Sequence, residues 1–420
     1  MGSAISTGIK VLATILLSKI IAEKLGPSGL GLIGQLSSFV SITLLLASGS
    51  YQNGIVKFTA LYKSDAQLAE FVKPSLKLTG IIAVISGALL YFLSGFFSNL
   101  VFHSQEYIYV FYWLAFTIVL YSFNNYFNAF LNGISDFKSF NILNICSSIF
   151  SVAISILLIY WLGIKGALLA VVLSQTLTSV AAIPLIVKYK ENFIQFYRAD
   201  ISRELLNKLV PYIKMTLFSL VLLPASQIIV RNIIKSNLGD FQMGIWEAVN
   251  RISGLYMLVV TNIMLIYYLP RLSVIKTKPE TFSEFKKGII FFGAIIVGIS
   301  LGVFLFRHII IKLFLSGEFM PVSDLILLQS VGDIFKVIYY LFAYFAIARS
   351  LTLYYILTEV LFFIIYLSAS YFLVHGFGTR GAVYAYLLMN FCALILHVFF
   401  IVKLYFSKRN NFTTFLFGSE

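Results

Sequence analysis

The chain has 420 residues, of which 60% are hydrophobic and only 11% charged; 41 are phenylalanine, and the mean hydropathy is +0.93. Soluble domains run at about 45–50% apolar and about 25% charged, so a water-soluble globule is excluded and the composition is that of a polytopic membrane protein. The formal charge of +14 is spread along the chain without the clustered basic face that nucleic-acid binding requires, so no nucleic acid is expected as a partner.

A bilayer-crossing helix needs about 20 mainly apolar residues. Windows of that length predict twelve, at 4–22, 33–56, 76–100, 107–131, 139–161, 166–187, 209–230, 241–269, 288–311, 322–347, 351–373 and 381–404. These runs exceed the roughly 9–11 residues of a barrel strand, so the fold class is all-α integral membrane. The basic residues set the orientation. Twenty lysines and arginines fall on the connections that include 57–77, 188–208 and 271–287, and eight on the opposite set. Positive residues collect on the cytoplasmic side, which predicts a multi-pass protein with both termini in the cytoplasm.

The longest connection, KYKENFIQFYRADISRELLNK at 188–208, reads as a cytoplasmic amphipathic helix with Phe193, Phe196 and Tyr197 toward lipid headgroups. It separates a bundle of six spans at 1–187 from a second at 209–420. The two halves resemble each other. LGIKGALLA at 162–170 matches FGTRGAVYA at 377–385, with Gly163, Gly166 and Ala167 falling on Gly378, Gly381 and Ala382 at an offset of 215. Leu25-Gly26 with Gly31 repeats as Leu238-Gly239 with Gly244 at an offset of 213. Two motifs at nearly one offset indicate duplication. Units with an even number of spans insert in the same orientation, which predicts pseudo-symmetric halves related by an axis along the membrane normal, a substrate site between them, and alternating access.

Motifs for covalent chemistry are missing. No G-x-x-x-x-G-K-[ST] loop is present to cradle ATP phosphates, and no G-x-S-x-G elbow. The four histidines are scattered without ligand spacing, and Cys146 and Cys392 lie singly in apolar runs. No A-x-A-like signal cleavage site follows the first apolar run. A transporter is expected, with no catalytic residue, metal or cofactor, driven if at all by a proton or ion gradient.

Ionisable groups at bilayer depth cost several kcal/mol and are functional suspects. Lys214, Glu247, Arg251, Asp333, Lys336 and Glu359 fall well inside predicted spans, and Lys10, Lys19, Lys57 and Arg231 nearer their ends. Glu247 and Arg251 are spaced i,i+4 with the acid first, the favourable order for pairing, and Asp333 and Lys336 at i,i+3 offer a second pair. The set as a whole is cationic, which suits an anion such as phosphate or pyrophosphate, held by charge and directed hydrogen bonds. Lys19, Lys57, Lys214, Arg231, Arg251 and Lys336 are therefore the candidate substrate-binding residues, and Lys10 is expected to snorkel toward the cytoplasm. Carboxylates in poorly hydrated surroundings take up protons readily, so Asp333 and Glu359 are the candidates for coupling, with Glu247 a charge-balancing partner. The stretch YSFNNYFNAFLNG at 121–133 reads chiefly as aromatic packing, with sugar stacking as the alternative.

LGPSGLGLIGQ at 25–35, NGIVKFTALY at 53–62, MGIW at 243–246, YLPRLS at 268–273 and VGDIFKVIYYLFAYFAIARSLTLYYILTEV at 331–360 resemble the Wzx family, the O-antigen and enterobacterial common antigen translocases of Gram-negative bacteria. That family is similar in fold to the MATE-type multidrug exporters, with two six-helix bundles in a V. The resemblance implies a flippase of the inner membrane. It would pass the head group of an undecaprenyl-pyrophosphate-linked oligosaccharide through a cationic cavity while the polyprenyl tail stays in membrane lipid. It also implies basic residues at Lys10, Lys19, Lys57 and Arg231, and a glycan polymerase and chain-length regulator as partners. The rival expectation is a drug or ion antiporter of the same fold.

Overall fold

The structure, a computed structural model, describes residues 2–406 apart from 63, 276 and 350. The side chains of Lys10 and Lys214 lie outside the described residues. Two compact units divide the chain, Met1–Ile228 and Ile229–Glu420.

The first unit contains α1 (Gly2–Leu44), α2 (Gln52–Leu61), α3 (Asp65–Phe92), α4 (Ser94–Phe102), α5 (Ile108–Gly133), α6 (Phe137–Lys188), the short α7 (Lys190–Phe193) and α8 (Arg203–Leu220). Then α9 (Leu222–Ile263) crosses the boundary. The second unit continues with α10 (Leu269–Val274), α11 (Lys278–Leu305), α12 (Arg307–Phe314), α13 (Ser323–Ala348), α14 (Thr352–Phe377) and α15 (Thr379–Phe406).

Among the described residues, nine helical stretches are long and apolar enough to cross a membrane. Three of these, beginning at Leu12, Phe137 and Leu222, contain a break and count as two crossings each, which gives the twelve predicted. At 1.5 Å per residue the 52-residue α6 would run for about 78 Å, far beyond a bilayer core of about 30 Å, and it breaks at Gly163, φ 57°. The breaks in α1 and α9 fall at Gly26, φ 62°, and Gly239, φ 86°. Only glycine takes these angles freely, and Pro27 follows Gly26 at the first helical position, where its missing N–H is not needed. The connections predicted around 23–32, 162–165 and 231–240 therefore shrink to single glycines, because a positive-φ residue turns the chain without a loop. Another expected span, 209–230, is interrupted between α8 and α9 at Val221. Pro224 supplies no N–H to the Leu220 carbonyl and its ring crowds it.

The duplication is visible in backbone detail. A Cβ on Gly166 would lie 1.9 Å from the carbonyl oxygen of Leu158, and one on Gly381 would lie 2.0 Å from that of Leu373. In one straight helix residues eight apart are about 12 Å apart, so both places are tight reversals that only glycine permits. Gly163 (φ 57°, ψ −131°) and Gly378 (φ 61°, ψ −141°) share one conformation, at the offset read from the sequence. α3 and α11 are both 28 residues long, α5 and α13 both 26, and a π-turn occupies Leu45–Gly49 in one unit and Met264–Tyr268 in the other.

Each unit has its own core. In the first, Tyr51, Phe71, Val72, Tyr126, Phe127 and Phe130 pack with Leu205 and Leu209 of α8. The second is built on Tyr268, Phe285, Phe292, Val337, Leu341 and Phe345. Outward faces are apolar as well, with Phe92, Trp161, Phe372 and Ile266 all more than 70% exposed. Apolar surface on that scale is stable only against lipid.

Residues 188–208 do not form the single amphipathic helix expected. Gln195 takes φ 60° and ends α7, and a 3₁₀ turn covers Phe196–Arg198. Phe193 packs on Phe127 and Phe130, and Phe196 on Phe123. Packing both rings, half-buried, against the first unit's core removes apolar surface from water, whereas Tyr197 stays exposed. The same end is fastened by Asp136, which precedes α6. Its carboxylate accepts from the Ser139 backbone N–H (3.1 Å), the Ser139 hydroxyl (2.7 Å), the Tyr189 hydroxyl (2.6 Å) and Lys188 Nζ (3.1 Å). It thereby caps the start of α6 and ties it to the residues at its end. Hydrogen bonds from Tyr189 and then Ser139 hold the Asp136 carboxyl well below the usual carboxylate range.

Candidate functional site

The sequence singled out charges inside apolar helices, and in the second unit these converge. Arg231 and Glu247 stand eight residues either side of the Gly239 break in α9, so the reversal there brings them opposite one another. Nε and Nη2 of Arg231 donate to Glu247 Oε2 at 2.9 and 2.6 Å. Arg251, one turn beyond Glu247 on the same face, donates from Nε to Oε1 at 3.0 Å. The Arg231 guanidinium also lies over the Trp246 ring, 5.4 Å from its centre, a favourable cation–π position. Arg231 and Glu247 are buried, with side chains 4% and 7% exposed, while Arg251 is 25% exposed. Two guanidiniums on one carboxylate leave the cluster with one net positive charge.

A second polar group centres on Asp333 of α13, which is fully buried. The hydroxyls of Ser253 and Tyr386 each donate to it at 2.7 Å, and the hydroxyl of Tyr256 donates to Oδ2 as well. Gly332 makes this possible. A Cβ there would lie 2.8 Å from Cδ1 of Tyr386, so the missing side chain lets the ring approach α13 closely and its hydroxyl reach Asp333. Asp333 and Lys336 form no direct ion pair among the described residues, and the carboxylate takes its hydrogen bonds from this ring of hydroxyl donors. An ionised carboxylate is acceptor-only and can take several donors. Lys336, half-buried, has its ammonium 5.7 and 5.6 Å from the centres of the Tyr340 and Tyr386 rings and interacts electrostatically with both Asp333 and Glu359. Tyr366 links the two groups. Its ring lies 6.4 Å from that of Tyr386, and it is within electrostatic reach of Arg231.

The remaining candidates belong to the first unit. Lys19 is paired with Glu23 at 3.0 Å, one turn along α1. Lys57 is exposed, with its ammonium 5.7 Å from the Phe58 ring and 5.9 Å from that of Tyr212. Ser253, Tyr256, Tyr386 and Trp246, neutral side chains all, stand outside the charged candidates of the sequence. No local pattern signals those partners, because Tyr256 and Asp333 are 77 residues apart. The Arg231–Glu247 contact was within reach of the sequence, since both are equidistant from a glycine already identified as a repeat motif.

Helices with lipid-facing apolar surfaces, duplicated units and a buried polar array in the second unit define a multi-pass, all-α membrane protein. The chain belongs to the polysaccharide biosynthesis protein family, whose profile matches residues 20–324. It is 27% identical over 386 residues to the lipid III flippase of Escherichia coli (strain K12), covering 92% of this chain and 93% of that one, and it matches the lipid III flippase of Shigella flexneri to the same extent. Solved structures share the fold. The inward-facing conformation of a multidrug resistance MATE family transporter of the MOP superfamily superposes with a TM-score of 0.72 at 17% identity, covering 94% of each chain. The lipid II flippase MurJ, in an inward closed conformation, does so with 0.72 at 13% identity, covering 95% of this chain and 87% of that one.

Proposed function

We propose that this protein is a flippase for a lipid-linked oligosaccharide of the inner membrane. It carries the undecaprenyl-pyrophosphate head group from the cytoplasmic to the periplasmic leaflet by alternating access, with both termini in the cytoplasm. The observation that carries the reading is the Arg231–Glu247–Arg251 cluster, which has one net positive charge. A phosphate binds such a group by charge-assisted, directed hydrogen bonds, and Arg251, a quarter exposed, is the member placed to offer them. Cationic drugs favour the opposite sign of cavity, so the cluster argues against an antiporter for such drugs despite the shared fold. The similarity to lipid III flippases supports a polyprenyl-pyrophosphate cargo, and the family supports a sugar polymer as its destination, with a glycan polymerase and a chain-length regulator as partners. Asp333 and Glu359 are the groups that couple transport to a proton or ion gradient.

The test is transport by the purified chain in sealed vesicles. Fluorescent undecaprenyl-pyrophosphate oligosaccharide placed in one leaflet is expected to reach the other faster than in protein-free vesicles. No movement of that lipid, together with export of cationic dyes, would overturn the reading.

A further inference from the structure

The stretch 121–133 divides by helical phase. Tyr126, Phe127 and Phe130 are core residues of the first unit. Tyr121, Asn124, Asn125 and Asn128, spaced i, i+3, i+4 and i+7 along one face of α5, line a cavity of about 370 Å³, within the range of small-ligand sites. The start of α6 supplies the facing wall, with Phe140, Asn144, Ser148 and Ser151, and Gln52 of α2 contributes a further amide. None of the lining residues is charged. A phosphate would find no cation there and an amine no carboxylate.

The hydrogen bonds show which polar atoms are on offer. Asn128 Nδ2 donates to the Asn124 carbonyl at 3.1 Å, Asn144 Nδ2 to the Phe140 carbonyl at 2.8 Å, and Asn125 Nδ2 to Ser48 Oγ at 3.2 Å. Ser148 spends its hydroxyl proton on the Asn144 carbonyl at 2.9 Å. One N–H of each of these three amides is thus tied back to the protein, while the amide oxygens are left as acceptors. Oδ1 of Asn128 is buried and, among the described residues, accepts no hydrogen bond. Buried acceptors of this kind ordinarily have a partner. An uncharged lining of amides and hydroxyls fits a neutral ligand with several hydrogen-bonding groups, and Tyr121 and Phe140 offer cover for an apolar face. A sugar ring meets each requirement, and an acetamido sugar adds an N–H donor.

We propose that this pocket is a sugar subsite, binding a neutral pyranose of the cargo. The pyrophosphate contacts lie elsewhere, on the cationic residues of the second unit. The proposal rests on the reading of the cargo as a lipid-linked oligosaccharide.

Two measurements test it. Purified wild-type protein is titrated with free N,N′-diacetylchitobiose and followed by thermal stability. Saturable stabilisation is expected, and it should be lost in Asn128→Leu, which removes the acceptor and fills the cavity. In sealed vesicles, the wild type is compared with Asn128→Leu on undecaprenyl pyrophosphate with and without its oligosaccharide. The glycosylated lipid is expected to slow about three- to tenfold, the value of one neutral hydrogen bond, while the bare carrier moves at the wild-type rate. If Asn128→Leu does not fold, Ser151→Leu fills the same pocket from the facing helix. Unchanged rates on both lipids, or equal loss on both with no stabilisation of the wild type by the free disaccharide, would overturn the subsite. Failure of the wild type to move either lipid would overturn the flippase reading instead, and the disaccharide titration would still report on the pocket.

Discussion

Glu247→Gln is expected to destabilise the protein by about 3–5 kcal/mol, the cost of breaking a buried ion pair from one side. The substitution preserves shape but leaves Arg231, 4% exposed, beside Arg251 with no carboxylate between them. Thermal unfolding in detergent, read by loss of the monodisperse peak on size exclusion, measures the effect. The double variant Arg231→Met, Glu247→Leu should recover most of that loss, since replacing a buried pair by apolar side chains of similar volume is neutral or stabilising, and Arg251 can extend toward water. Recovered folding without recovered transport would locate the cluster's role in cargo binding. A Glu247→Gln variant as stable as the wild type would show that the pair is not buried as described.

Asp333→Asn has the next largest expected effect, and on a different quantity. The carboxylate accepts three hydroxyls, from Ser253, Tyr256 and Tyr386. An amide has one acceptor oxygen and brings two donors of its own, so at least one buried hydroxyl loses its partner, at about 1–3 kcal/mol. The protein is expected to fold with lowered stability and to lose any response of transport to an imposed proton gradient, because the amide cannot take up a proton. Asp333→Leu, which strands all three hydroxyls, should be markedly worse in stability. If Asp333→Asn responds to the gradient as the wild type does, coupling does not run through this residue.

Much of this was written in the local sequence. Apolar windows located the crossings, because in lipid every backbone polar group must be satisfied within a helix, and each crossing then has its own stretch of sequence. The duplication was legible for a related reason. Gly163, Gly166, Gly378 and Gly381 stand where the backbone leaves no room for a Cβ or turns to positive φ, so both copies kept the same residue at the same spacing. What the sequence concealed depends on distance. The break residues looked like loops of several residues, since hydropathy cannot tell a one-residue reversal from a short connection. The hydroxyl ring around Asp333 joins α9, α13 and α15, and neutral serine and tyrosine carry no signal to a search for charge. Phe193 and Phe196 have the composition of an interfacial helix. They pack inward because Gln195 breaks that helix, and nothing in the pattern of aromatic and basic residues foretold it.

If Arg251 and Lys336 hold the pyrophosphate of the cargo, the double variant Arg251→Gln, Lys336→Gln shows it most directly. Arg231 still satisfies Glu247 in that variant, so the fold should survive. At equal incorporation into sealed vesicles, the variant is expected to flip undecaprenyl-pyrophosphate oligosaccharide about 10- to 100-fold more slowly than the wild type, the value of a charge-assisted hydrogen bond or two. A rate equal to that of the wild type would contradict the account.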